Sequence, residues 1–158
     1  MRKMEIIKNT YGRLYSKSWV EFDLVLSRPA EFRFRENKFE VQPGSAVFIC
    51  ANCQFAVSAP VTRYQIPLSY FDSDDNFDSK ILEALGSCPP VTIIPVGQPG
   101  RAIIMGLHTI RDLQEKESSS LTYLEPGILY STLETFQLFL RSHAGKAAPV
   151  THRNLKLS

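Results

Sequence analysis

Ser18-Trp-Val-Glu-Phe-Asp-Leu-Val-Leu-Ser27 decides the fold class of this 158-residue chain. Val20, Phe22, Leu24 and Leu26 alternate with Trp19, Glu21 and Asp23. A period of two marks a strand with one apolar face, because successive side chains on an extended backbone point to opposite sides. Glu31-Phe-Arg-Phe-Arg35 alternates again, Glu36-Asn37-Lys38 reads as a hairpin turn, and Phe39-Glu40-Val41 returns as the partner strand. Gln42-Pro43-Gly44-Ser45 is the next turn, Ala46 to Cys50 a short apolar strand, and Ala51-Asn52 another turn. Phe55 to Val57 and Arg63 to Tyr70, the latter broken by Pro67, are further extended runs. Many short strands separated by turns at this density predict a sandwich or small barrel.

After residue 98 the period changes. Ile103, Ile104, Leu107, Ile110 and Leu113 line one face of a helix that ends at the polar run Gln114-Glu-Lys-Glu117 and the serines of 118–120. A second helix is expected to start near Glu125-Pro126, with the stripe Leu129, Leu133, Phe136, Phe139 and Leu140. Between the halves, the acidic residues 72–78 precede a short helix over 79–85 that Gly86 would stop, and a strand is expected over 91–96. Strands first and helices second make an α+β chain.

Composition agrees with a folded domain: 44% of residues are hydrophobic and 22% charged. A net charge of +2 is too small for the phosphate-binding footprint of a nucleic-acid reader. No window is long and apolar enough for a membrane span, the N-terminus has no apolar signal core, and the three cysteines suit a reducing compartment. A cytoplasmic location and no membrane partner are therefore expected.

Trp19 to Leu26, Val41-Gln-Pro-Gly-Ser45 and Ile66-Pro-Leu-Ser-Tyr-Phe71, in that order and ahead of two helices, resemble the N-terminal regulatory domain of AraC/XylS-type transcription regulators. The resemblance covers roughly residues 15 to 143. It implies a cupin-like β-barrel, or double-stranded β-helix, with an N-terminal arm over 1–98, and an antiparallel helix pair used for dimerisation over 99–145. Residues 146–158 would then be a linker to a C-terminal DNA-binding domain missing from this chain. Lys8-Asn-Thr-Tyr11 and Ile66-Pro-Leu-Ser69 look like the branch that controls type III secretion in bacterial pathogens. In that branch the partner is often a regulatory protein instead of a small-molecule effector. A stand-alone, metal-free cupin-like binding protein is the alternative.

The resemblance also says what to look for in the barrel. Metal-binding cupins place His-x-His-x-x-x-Glu on one strand, with a further His later, so that alternate side chains close on one ion. Aligning that motif on Glu21 puts Tyr15 and Lys17 where the histidines belong, and Gln54 or Phe55 at the later position. No metal, no cofactor and no catalytic residue are expected from such a set, and hence no enzyme. Cys50-Ala-Asn-Cys53 lacks the following helix of a redox dithiol and reads as buried small side chains. Two arrangements of the barrel remain open. Tyr15, Lys17, Trp19 and Glu21 pointing inward would line a pocket for a polar or carboxylated effector. Alternatively, Val20, Phe22, Leu24 and Leu26 line the core, with Phe32, Phe34, Phe48 and Phe55 filling it. For the second helix, Leu129, Leu133, Phe136, Phe139 and Leu140 are the expected homodimer contacts, since Leu124, Ile128, Tyr130 and Leu138 widen its apolar surface beyond one partner.

Overall fold

The computed structural model describes residues 3–71, 76–97, 100–116 and 121–142, with the side chains of 76–79, 87 and 121–123 excepted. Its strands are β1 (Glu5–Ser16), β2 (Trp19–Val25), β3 (Ala30–Phe34), β4 (Asn37–Val41), β5 (Ala46–Ile49), β6 (Cys53–Pro67) and β7 (Val91–Ile94). Its helices are α1 (Asn76–Ser87), α2 (Gly100–Glu115) and α3 (Leu121–Ser142), and a single 3-10 turn spans Leu68–Phe71. The expected linker 146–158 and most of the acidic stretch 72–78 lie outside the described residues.

All seven strands join one antiparallel sheet in the order β4-β3-β6-β2-β5-β7, with β1 on the other edge of β6. β6 is a single strand of 15 residues, where the sequence suggested two runs. β1 follows it from Glu5 opposite Gln65 to Ser16 opposite Cys53. The opposite edge is divided: β3 pairs at Val57 and Ala56, and β2 pairs from Val61 to Pro67. Two flaps, β3–β4 and β2–β5–β7, thus hang from one spine and close over a shared interior of Val25, Phe32, Phe34, Phe39, Val47, Ile49, Phe55, Val61 and Val91. This is the cupin-like barrel followed by helices that the sequence predicts.

The expected N-terminal arm contains the strand β1, with two register shifts between Ile7 and Gly12, where Asn9 and Gly12 take φ of 57° and 92°. These bulges break the alternation, which is why the sequence hides the strand. The β3–β4 hairpin also turns one step earlier than expected: Arg35 has φ of 56°, while Asn37 already pairs with Phe34. α1 runs past Gly86, and α3 begins at Leu121, ahead of Pro126.

The greasy face of β2 does not line the barrel. Val20, Phe22 and Leu24 pack outward under the helices with Ala46, Phe48, Tyr64, Ile66, Ile103, Leu107, Leu129, Leu133, Phe136 and Phe139. Phe136 of α3 meets Phe22 edge-on at 5.2 Å and Phe48 at 4.9 Å, so three rings anchor the helix pair to the sheet. Phe48 therefore belongs to this outer core, while Phe32 stacks on Phe39 at 5.9 Å and on Phe55 at 6.4 Å to fill the barrel.

α2 and α3 cross closely at Gly106, where an added Cβ would lie 2.1 Å from Thr132 Oγ1 and 3.2 Å from Thr132 Cβ. Thr132 is β-branched and donates its hydroxyl to Ile128 O at 2.8 Å, so it has little room to turn aside. Gly106→Ala is expected to cost about 1–3 kcal/mol by overpacking, read as a lower urea midpoint with unchanged helix content.

Candidate functional site

Alternation that sends Val20, Phe22 and Leu24 to the helices sends Glu21, Asp23 and Val25 into the barrel. Register places Glu21 opposite Gln65 and Asp23 opposite Arg63, so four polar side chains converge inside the β2–β6 flap. Glu21 and Asp23 are each 0% exposed, and Arg63 is 6% exposed. Arg63 donates from Nε to Glu21 Oε2 at 2.9 Å and from Nη2 to Glu21 Oε1 at 2.8 Å, a bidentate pair. Trp19 Nε1 donates to the same Oε1 at 2.7 Å. Arg63 also donates to the Tyr15 carbonyl at 3.3 Å, and its guanidinium lies 5.9 Å from the Trp19 ring and 5.8 Å from the Phe55 ring. The two rings shield the cation from water and leave its charge directed at Glu21.

Asp23 is a second carboxyl beside the first, with a single cation between them. Neither Asp23 oxygen finds a donor when both carboxyls are ionised, and Gln65 Nε2 is similarly unmatched. Burial raises the Asp23 pKa well above its ordinary 3.8, the adjacent Glu21 charge raises it further, and Arg63 offsets only part of this. Burial also pushes Glu21 upward, but hydrogen bonds from Asp23 and Arg63, the Arg63 charge and the Trp19 bond outweigh it and leave Glu21 below 4.5. The arrangement thus favours the ionised form of Glu21, held by Arg63, and the protonated form of Asp23.

Tyr15 and Phe55 connect this cluster to the outer face of the barrel. There Arg13, Leu14, Tyr15, Arg33, Arg35, Gln54, Phe55 and Ala56 line a groove of about 510 Å³. The row Arg13, Ala56, Arg33, Lys38 runs across β1, β6, β3 and β4, since residues paired across strands point to the same side. The small side chain of Ala56 forms the floor and the cations the walls. Among the described residues Arg33 reaches only Glu31, at 3.7 Å, while Arg13 and Arg35 make no ion pair. Arg35 enters the set through the left-handed turn that the sequence had placed elsewhere. The groove can hold an anionic group by guanidinium hydrogen bonds.

The four residues expected to form one pocket are therefore divided. Tyr15 lines the external groove, Lys17 is exposed, Trp19 is half-buried against Arg63, and Glu21 is locked in the interior pair. The partners Arg63 and Asp23 and the groove arginines were missed, because charged residues in an alternating strand read as its solvent face. On α3, Leu129, Leu133, Phe136 and Phe139 are buried in the intramolecular core and Leu140 is half-buried. The expected dimer contacts thus serve the fold, because this stripe is what α3 buries against the sheet and α2. Among the described residues, no group of three or more His, Cys, Asp or Glu is arranged to hold a metal ion. No helix among them is long and apolar enough to cross a membrane.

No family model matches the chain, and no curated protein matches it. Among solved structures the chain is similar to ToxT from Vibrio cholerae, at 11% identity and a TM-score of 0.44, over 70% of this chain and 46% of that one. The chain thus spans less than half the length of that neighbour.

The interior cluster sets a pH dependence of opposite sign for its two carboxyls. Asp23 holds its proton more tightly folded than unfolded, so stability falls as pH rises from 3.8 toward the raised value. Glu21 contributes in the other sense: its stabilisation is present above 4.5 and is lost as pH falls through its lowered value. Asp23→Asn, which removes the titrating carboxyl, is expected to remove the first slope and raise the denaturation midpoint at neutral pH. Glu21→Gln leaves Arg63 buried without its counter-ion and is expected to cost about 3–5 kcal/mol. Urea unfolding from acid to neutral pH checks both.

Proposed function

We propose that this chain is the regulatory domain of an AraC/XylS-type transcription regulator: a non-enzymatic, cytoplasmic module in which the barrel receives an effector and the helix pair self-associates, with DNA contact left to another domain. The reading is supported by the family-like pieces of sequence and by the order of elements, a filled barrel followed by the antiparallel pair α2 and α3. A catalytic metal is disfavoured by Glu21, the one match to a cupin ligand, being committed to Arg63.

The observation that carries the proposal is the span of β1. Its last residues, Arg13 and Tyr15, wall the cationic groove. At its start, Gln114 Nε2 of α2 donates to Met4 O at 2.8 Å and to Glu125 Oε1 of α3 at 2.7 Å, and Met4 N–H donates to Glu125 Oε2 at 3.2 Å. Lys8 pairs with Glu115. A ligand in the groove that shifts β1 acts directly on the helix pair, biasing a pre-existing balance of arrangements. The groove chemistry favours an anionic effector or an acidic segment of a regulatory protein.

Self-association belongs on the outward face of α3, through Leu124, Ile128, Ser131, Thr135 and Leu138, which share one side of the helix and carry no charge. Leu124 and Leu138 are 45% and 59% exposed. Fusing the chain to a helix-turn-helix module that binds its operator only as a dimer tests the proposal. Repression of a reporter is expected, with loss in Leu124→Glu/Leu138→Glu while the purified variant keeps its circular dichroism. A fusion that fails to repress, with a monomeric chain in sedimentation, overturns the reading.

A further inference from the structure

The turn between β5 and β6 brings two thiols together. Cys50 follows the last residue of β5, Cys53 opens β6, and Ala51-Asn52 make the turn, with Asn52 at φ of 59°. Residues three apart across a β-turn have Cα atoms less than about 7 Å apart, which overlaps the span a disulfide bridges. Both side chains face the barrel interior, Cys53 within its apolar cluster and Cys50 packed against it, and Cys53 Sγ lies 3.9 Å from Gln54 O. They differ in access: Cys50 is half-buried and Cys53 is 4% exposed.

The surroundings hold both ends of the turn in place. Ser16, fully buried at the end of β1, donates its hydroxyl to Cys50 O at 2.5 Å and accepts from Cys53 N–H at 3.0 Å. Asn52 N–H donates to Lys17 O at 3.1 Å, and Cys50 N–H donates to Pro90 O at 2.9 Å. The backbone is thus fixed by β1 and by the segment before β7, while both thiol side chains stay against the same interior cluster.

We propose that Cys50 and Cys53 are a thiol-oxidation site, closing reversibly to an intramolecular disulfide with Cys50 as the attacking sulfur and Cys53 as the resolving one. The oxidant class is a low-molecular-weight disulfide, RSSR. The Cys50 thiolate attacks one sulfur of RSSR, forming Cys50–S–S–R and releasing RS⁻. The Cys53 thiol then gives up its proton to solvent or to the released thiolate as its sulfur attacks that of Cys50, and a second RS⁻ leaves. Two cysteine thiols are oxidised by two electrons and one RSSR is reduced to two thiols. The neighbouring Cys53 thiol lowers the Cys50 thiol to about 7, which supplies thiolate at neutral pH. Cys53, raised by the neighbouring Cys50 and by burial, stays protonated until the mixed disulfide forms. Burial raises Cys88 to about 12, and its thiol donates to Leu85 O at 3.0 Å, so it is a poor competitor.

The experiment treats the reduced, folded chain with oxidised glutathione at neutral pH and follows it by intact mass and peptide mapping. The expected end state has lost the mass of two hydrogens, carries a Cys50–Cys53 crosslink and a free Cys88, and regains three thiols on reduction. Cys53→Ser is expected to stop at the glutathione adduct on Cys50, and Cys50→Ser to slow reaction at the turn at least tenfold. Iodoacetamide labelling of Cys50 in the wild-type chain, which needs no variant to fold, should rise with a midpoint near pH 7. An adduct on Cys50 that persists in the wild-type chain, a crosslink to Cys88, or labelling of Cys50 no faster than Cys88 overturns the proposal.

Discussion

The hydrogen-bonding of β6 on both edges is the constraint from which the rest of the structure follows. One edge serves β1 along its whole length and the other is shared by two flaps, so every strand but three of the shorter ones reaches the spine directly. The helices cover one face of its second half and the barrel interior the other. Residues 61–66 are consequently buried without alternation. In such a strand every side chain needs a partner inside the protein, because neither face meets water. Tyr64 and Ile66 find theirs in the outer core, and Arg63 finds Glu21 across the register.

A bidentate pair alone would be an expensive way to fill that position, since desolvating two charges costs several kcal/mol before their attraction is counted. The network around it reduces the cost. Trp19 takes one carboxylate lone pair, Tyr15 offers a carbonyl, and two ring faces pack over the guanidinium. Asp23 does the reverse: it adds a carboxyl that the single cation cannot neutralise, and its burial beside Glu21 favours the protonated form. The barrel wall thus carries one satisfied charge pair and one acid whose surroundings favour its neutral form, both excluded from solvent.

Alternation over 18–27 was enough to identify a strand, and the change of period near residue 98 was enough to separate barrel from helices. Which face of β2 points inward was not legible. Glu21 and Asp23 look like solvent residues until Arg63, 42 positions after Glu21, is known to lie beside them. β1 was hidden because it is irregular at Asn9 and Gly12 and has one exposed face. The α3 stripe was read correctly as apolar and assigned to the wrong partner, since a stripe that meets a sheet and one that meets a second subunit have the same spacing. The groove arginines come from β1, β3 and a turn, and only the spine brings them together.

β1 is where these features meet. The residue just before it, Met4, is buried in the core and fixed by Gln114 and Glu125; its middle contains the two bulges; its end supplies Arg13 and Tyr15 to the groove and Ser16 to the Cys50–Cys53 turn. A paired strand cannot slide by one residue without exchanging its faces. Displacement at one end is therefore either absorbed at Asn9 and Gly12 or passed to the other end. The helix pair, the cationic groove and the thiol pair are three loads on one strand, and the stiffness of its pairing with β6 determines how strongly each is felt by the others.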